Sequence, residues 1–195
     1  MKVFVKSYYP YFPIAGLFLY VAIFSVASTY YPGGSFNRPE ASGYSFFNNF
    51  LCDVMDPITK GGAYNPARSL AIISHLVLSA TMMLFFYLLP EIFTARGRNF
   101  YLIRYVGALT MFVFSFMYTR HHDLIVTATG VLGTLALIPF FVELSQYPDK
   151  FLKLLAYMCF LLSLVVFFIF ETKLGYYYLP FLQKITFAVD GVWVI

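Results

Sequence analysis

The sequence predicts an all-α fold: a polytopic transmembrane bundle of about six helices with a long first extracytoplasmic loop, built as a single transmembrane domain over residues 1–195. Three observations predict it. Hydrophobic residues make up 61% of the chain and charged residues only 11%, whereas an ordinary soluble domain carries about 25% charge to cover its surface. Apolar runs long enough to cross a hydrocarbon core of about 30 Å, which takes about 20 residues at 1.5 Å each, recur about six times. Aromatic residues reach 22%, with 17 Tyr and 24 Phe, and Tyr favours the headgroup level, where its ring is buried and its hydroxyl stays wet.

The elements follow in order. The first helix is predicted over residues 12–30. Lys2 and Lys6 precede it like the n-region of a signal peptide. However, the uncharged run from Tyr8 to Tyr31 is too long for an h-region, and it ends at Pro32-Gly33-Gly34 without a small-x-small cleavage site. It is therefore retained as a helix. Residues 32–68, rich in Gly, Pro, Asn and Ser, form a polar loop too long for a mere connector. Such a loop packs over helix ends or carries function. The second helix is predicted over 69–89, stopping at Pro90-Glu91, and the third over 100–118. The fourth covers 124–142 despite Pro139, the fifth 152–170, and the sixth 176–195, although the sixth contains Lys184 and Asp190.

The net charge of +4 is spread along the chain, with no basic block of the kind that binds nucleic acid. Lys and Arg near helix ends instead report topology. With the N-terminus inside, the cytoplasmic face holds Lys2, Lys6, Arg96, Arg98, Arg104, Lys150 and Lys153, and the outer face Arg38, Lys60, Arg68, Arg120 and Lys173. This bias places both termini in the cytoplasm. Cys52 and Cys159 show no metal-type spacing and do not suggest a disulfide.

On that assignment the outer face collects the residues that can carry chemistry. Asp53 and Asp56 lie in the long loop, with Arg68 or Arg120 as expected partners. His75 follows Arg68 by two helical turns, about 10 Å into the membrane, and Ser79 is one turn deeper on the same face. Imidazole facing lipid is costly, so His75 should face the interior, either bonded to a neighbouring helix or binding a ligand. Arg120-His121-His122-Asp123 joins the third and fourth helices. His75, His122 and Asp123 form a candidate zinc set by donor chemistry, although no H-E-x-x-H spacing occurs. The plainer reading is a polar interfacial turn with Asp123 at a favourable helix N-terminus. Lys184, about eight residues into the sixth helix, is an intramembrane ionisable group and hence a functional candidate. Thr127, Gly130, Gly133 and Thr134 suit close helix packing. Arg68, His75, Ser79, His122 and Lys184 are the candidate ligand-binding residues, and His75, Asp53 and Asp123 the candidate catalytic ones.

The segment Asn49-Phe50-Leu51-Cys52-Asp53-Val54-Met55, with Asn65-Pro66-Ala67-Arg68 leading into the second helix, resembles a widespread family of six-helix membrane proteins of unknown function. Members show an Asn-x-x-Ser-Asp-Leu-Gly pattern in the first outer loop and a histidine at the start of the fourth helix. Asn49 and Asp53 fit. Cys52 replaces the Ser and Met55 the Gly, while His121 or His122 takes the histidine's place. Gln183-Lys184, followed by Trp193, is similar to the basic residue and Trp of the family's last helix. That family is similar to the damage-regulated autophagy modulators and the GPI-anchor lipid remodelling proteins, and the resemblance implies a lipid-linked setting.

Three functions remain open on the sequence. The first is a multi-pass protein that binds or organises membrane lipid, with protein partners or a second copy of itself. The second is a metal-dependent lipid hydrolase or transferase on the outer face, with zinc as its cofactor. The third is a small proton-linked transporter using His75 and Lys184.

Overall fold

A computed structural model describes residues 8, 9, 11–94 and 96–195. Lys2 and Lys6, on which part of the orientation argument rests, lie outside the described residues. The chain is all-helical. Its long helices are α1 (Tyr11–Thr29), α2 (Arg68–Leu88), α3 (Arg98–Phe114), α4 (His122–Ser145), α5 (Lys150–Thr172) and α6 (Leu179–Val194). Single 3₁₀ turns occur at Asp53–Met55, Leu89–Ile92 and Tyr176–Tyr178. Among the described residues the only strand-like pairings are two isolated bridges in the loop, Gly33 with Ser42 and Ile58 with Tyr64.

Local chemistry sets the boundaries. Asn65 Oδ1 accepts the Ala67 N–H at 3.1 Å in a tight turn that launches α2. Pro90 ends regular α2 by removing a backbone donor, and the chain finishes in a 3₁₀ turn. Asp149 Oδ1 accepts the N–H groups of Phe151 and Leu152 at 2.8 and 3.0 Å, an N-terminal cap for α5. Beyond α5, Lys173 and Gly175 both take positive φ and reverse the chain.

Four segments are long and apolar enough to cross a membrane: Tyr11–Thr29, Arg68–Ile92, His122–Ser145 and Lys150–Thr172. The other two helices are shorter than expected. α3 has 17 residues and ends at Phe114 rather than 118. There the Ser115 N–H is shared between the Met111 and Phe112 carbonyls, and the Ser115 hydroxyl also donates to Phe112 O, so the helix tightens and stops. α6 has 16 residues, because the three tyrosines at 176–178 form a separate 3₁₀ turn ahead of it. These lengths correspond to about 26 Å and about 24 Å.

The sequence reads as one domain, and the contacts sort its residues into two compact units. Unit 1 takes in the described residues of Met1–Leu19, Leu76–Lys153 and Val194–Ile195; unit 2 comprises Tyr20–His75 and Leu154–Trp193. In unit 1, α3 and α4 pack along their length around the buried side chains of Ile103, Ala136, Phe140 and Leu144. Asn99 Nδ2 ties α3 to Glu143 of α4 at 2.7 Å. Two lone glycines in this unit sit at close helix approaches. A Cβ at Gly16 would meet Thr81 Oγ1 at 2.1 Å, and one at Gly107 would meet the Phe86 ring at 2.4 Å. Gly133, which the sequence favours for close packing, would make an ordinary 3.7 Å contact with Thr110.

In unit 2 the long loop supplies much of the buried core. Val54, Met55, Phe50, Tyr31 and Leu179 are buried together with Ser35, Asn49, Asp53 and Asn65. Gly34 takes φ +87°, and a Cβ there would meet Gly61 N at 2.3 Å. Two lobes of the loop thus touch backbone to backbone, an approach only glycine permits.

Candidate functional site

Most polar side chains buried in a protein find partners, and in unit 2 those of Asn49, Asp53, Tyr31 and Lys184 find them in one network. Asn49, 1% exposed, uses its whole amide. Its Oδ1 accepts the Ser45 N–H at 2.9 Å, and Nδ2 donates to Gly34 O at 2.8 Å and Asp53 Oδ2 at 3.0 Å. Asp53, 2% exposed, also accepts the Phe50 N–H on Oδ2 at 2.9 Å. The four-residue spacing of Asn49 and Asp53 therefore closes a turn in which each fixes the other. Tyr31 reaches the same Gly34 carbonyl, donating its hydroxyl at 2.9 Å.

The last helix completes the network. Lys184, 5% exposed, donates from Nζ to the Asn49 carbonyl and to Pro180 O, the latter at 2.9 Å. Its ammonium also faces the rings of Tyr44 and Phe46 at 5.8 and 5.4 Å. Next to it, Gln183 Oε1 accepts the Leu51 N–H at 3.0 Å. Aromatic contacts extend the seam: Phe36 and Phe50 meet Tyr176 at 5.1 and 5.5 Å, and Phe47 meets Phe181 at 5.3 Å. Asn37 Nδ2 donates to Tyr177 O at 2.8 Å. Further along the loop, Asn65 Nδ2 donates to the Val54 and Asp56 carbonyls at 2.9 and 2.8 Å. Arg68 Nε donates to Met55 O at 3.2 Å.

The electrostatics follow from this burial. Burial pushes the Asp53 carboxyl above the usual carboxylate range, against the lowering pull of its Asn49 and Phe50 donors. Burial and the neighbouring Asp53 push the Cys52 thiol up, so Cys52 is no ready thiolate. For Lys60, the bond to Asp56 and the carboxylates nearby outweigh a desolvation that opposes them, and its ammonium is favoured.

The sequence candidates divide accordingly. Asp53 and Lys184 are brought into one network, with Asn49 as the link. The expected pairing of Asp53 and Asp56 with Arg68 or Arg120 gives way to nearer partners. Asp53 takes Asn49 and Phe50 N–H groups, Asp56 pairs with Lys60 at 3.0 Å, and Arg68 bonds a carbonyl. His75 in unit 2 and Ser79 in unit 1 are both buried. In unit 1, His122 Nδ1 lies 2.9 Å from Asp123 Oδ1, and Asp123 is largely exposed. Arg120 Nε donates to His121 Nε2 at 3.2 Å. Among the described residues no three His, Cys, Asp or Glu side chains group to hold a metal ion, so the zinc set of His75, His122 and Asp123 gains no support. Sequence reasoning passed over Tyr44, Gln183 and Asn65 as site residues. The Asn-Pro that opens α2 was the available signal for Asn65, whereas nothing local marked Tyr44.

Fold and site together define a polytopic helical membrane protein whose long first loop is hydrogen-bonded onto its last helix. No protein-family model, curated protein or solved structure matches the chain.

Proposed function

We propose that the protein is a multi-pass membrane protein that binds and organises membrane lipid, with the loop of residues 32–68 as its lipid-contacting platform. One observation carries this reading. Phe36, Phe46, Phe47, Tyr177 and Tyr178, all in unit 2, are between 54% and 64% exposed although they flank a hydrogen-bonded polar core. Soluble surfaces rarely leave large apolar groups clustered in water. At the headgroup level the same rings are favourable, with hydroxyls wet and ring bodies buried. The bonds from Asn49, Gln183 and Lys184 hold the platform in one shape, which lowers the ordering cost of binding. The resemblance carried by Asn49, Asp53 and Lys184 to lipid-linked six-helix proteins points the same way. The transporter reading needs Lys184 as a mobile charge, yet two carbonyls hold it. In this proposal all six helices cross the bilayer, the platform faces away from the cytoplasm, and both termini lie inside.

The test is lipid retention. Protein extracted from membranes and exchanged into nanodiscs of phosphatidylcholine is delipidated in detergent, and the lipid that stays bound is counted. Wild type is expected to retain phosphatidylcholine, and Phe46→Ser/Phe47→Ser to retain several-fold less per folded molecule, folding being checked by circular dichroism. Equal retention by both would refute the platform.

A further inference from the structure

Unit 1 contains a second arrangement that the loop platform does not use. At the end of the segment Arg68–Ile92, Glu91 is shared by two arginines. Its Oε2 accepts Arg96 Nη2 at 2.7 Å, and its Oε1 accepts Arg104 Nη2. Both guanidinium groups lie over the Phe100 ring, Arg96 at 4.7 Å and Arg104 at 4.4 Å, and Arg104 also lies over Tyr87 at 4.4 Å. The Arg104 side chain is only 12% exposed, and its Nε has no hydrogen-bond partner. Arg96 is 61% exposed on its side chain, and Arg98 beside it is also exposed.

One carboxylate facing two guanidinium groups leaves one positive charge uncompensated, and Arg98 adds another. Glu91 and the Phe100 ring fix the two guanidinium planes, so the surplus charge is pre-oriented. It also stands at the end of a helix long enough to cross the bilayer, the depth at which lipid phosphates lie. Guanidinium groups bind phosphate through paired N–H donors, and basic pockets between membrane helices bind anionic headgroups.

We propose that Arg96, Arg98 and Arg104 form a binding site for the phosphate of an anionic phospholipid headgroup. This deepens the lipid-binding reading and rests on it, though it concerns other residues. Arg96 and Arg98 make the exposed contacts. Arg104 is a positioning residue held by Glu91, Tyr87 and Phe100.

The experiment uses the full chain in nanodiscs of phosphatidylcholine mixed with phosphatidylserine or phosphatidic acid, with retained lipid resolved by class. Wild type is expected to enrich anionic lipid several-fold over the bulk mixture. Arg96→Gln/Arg98→Gln, which spares the buried Arg104, should abolish the enrichment and leave phosphatidylcholine retention intact. Glu91→Gln, which removes the competing carboxylate, should raise it. Arg120→Gln, an exposed basic residue outside both the platform and this cluster, should change nothing. Enrichment that survives the double substitution, or that Arg120→Gln lowers equally, overturns the site. Stabilisation of the protein by soluble glycerol phosphate to the same degree as by lipid overturns the lipid as the source of the phosphate. Retained phosphatidylcholine without anionic enrichment overturns this inference alone, whereas loss of all lipid from wild type overturns the platform as well.

Discussion

Asp53 is buried with two N–H donors on one oxygen, and no ion pair among the described residues reaches it. Its carboxyl sits above the usual value of 3.8, chiefly through burial. The folded chain therefore binds this proton more tightly than the unfolded chain, and the pH dependence follows by linkage. This group's contribution is most favourable at low pH. It is lost as pH rises from about 3.8 through the raised folded value. Thermal unfolding in detergent should show it: across that window wild type should lose stability relative to Asp53→Asn, so the difference between their curves changes with pH only there. Asp53→Ala should cost about 1–3 kcal/mol at low pH, where the wild-type carboxyl contributes most, because Asn49 Nδ2 loses one acceptor and the Phe50 N–H is left bare. Asp53 stood out in the loop motif. Its partner did not, since both Arg68 and Arg120 were equally plausible by charge and only the folded turn selects Asn49.

Among the elements, α1, α2, α4 and α5 could be read almost directly, because uninterrupted apolar length is what crossing a membrane demands. α3 and α6 could be read as helices but not to their full extent. Hydropathy sees the apolar residues beyond Phe114 and ahead of Leu179, but not the doubly bonded N–H of Ser115 or the separate turn of three tyrosines. The close approaches were also hidden. Spacing pointed to α4, where Thr127, Gly130, Gly133 and Thr134 recur, while the tight crossings use single glycines with no pattern around them. Gly16 is the sharpest case, for even a methyl group there would overlap Thr81 on α2. Gly16→Val should lower thermal stability by about 1–3 kcal/mol, the usual cost of overpacking. Gly133→Ala should be nearly neutral. Equal effects from the two substitutions would show that the α1–α2 crossing is looser than its geometry implies.

At the scale of the whole molecule, fold class was the most legible property, since scarcity of charge and abundance of apolar length admit few alternatives. Sidedness rests on Lys and Arg counts, and the platform gives it a direct readout. A cysteine introduced by Ser42→Cys, in a Cys52→Ser/Cys159→Ala background, should react with an impermeant maleimide in intact cells. Reaction only after permeabilisation would reverse the orientation. The joining of the loop to α6 was the least legible feature. Hydrogen bonds between residues so far apart leave no periodicity, and Lys184 read by itself is only a costly charge in an apolar helix.

That joining also imposes an order on biosynthesis. The Lys184 Nζ bond to the Asn49 carbonyl spans 135 residues, and the Gln183 bond to Leu51 spans 132. A ribosome adding about 5–20 residues per second reaches Lys184 roughly 7–27 s after Asn49. Throughout that interval α1 and the loop have been made, but the ammonium and amide that fasten the loop do not yet exist. The nascent loop therefore waits with its Asn49 carbonyl and Leu51 N–H unpartnered by α6, open to chaperones, proteases and modifying enzymes. Ribosome-stalled chains ending before Gln183 should be cut within residues 40–60 by added protease, and chains extended well past Trp193 should resist.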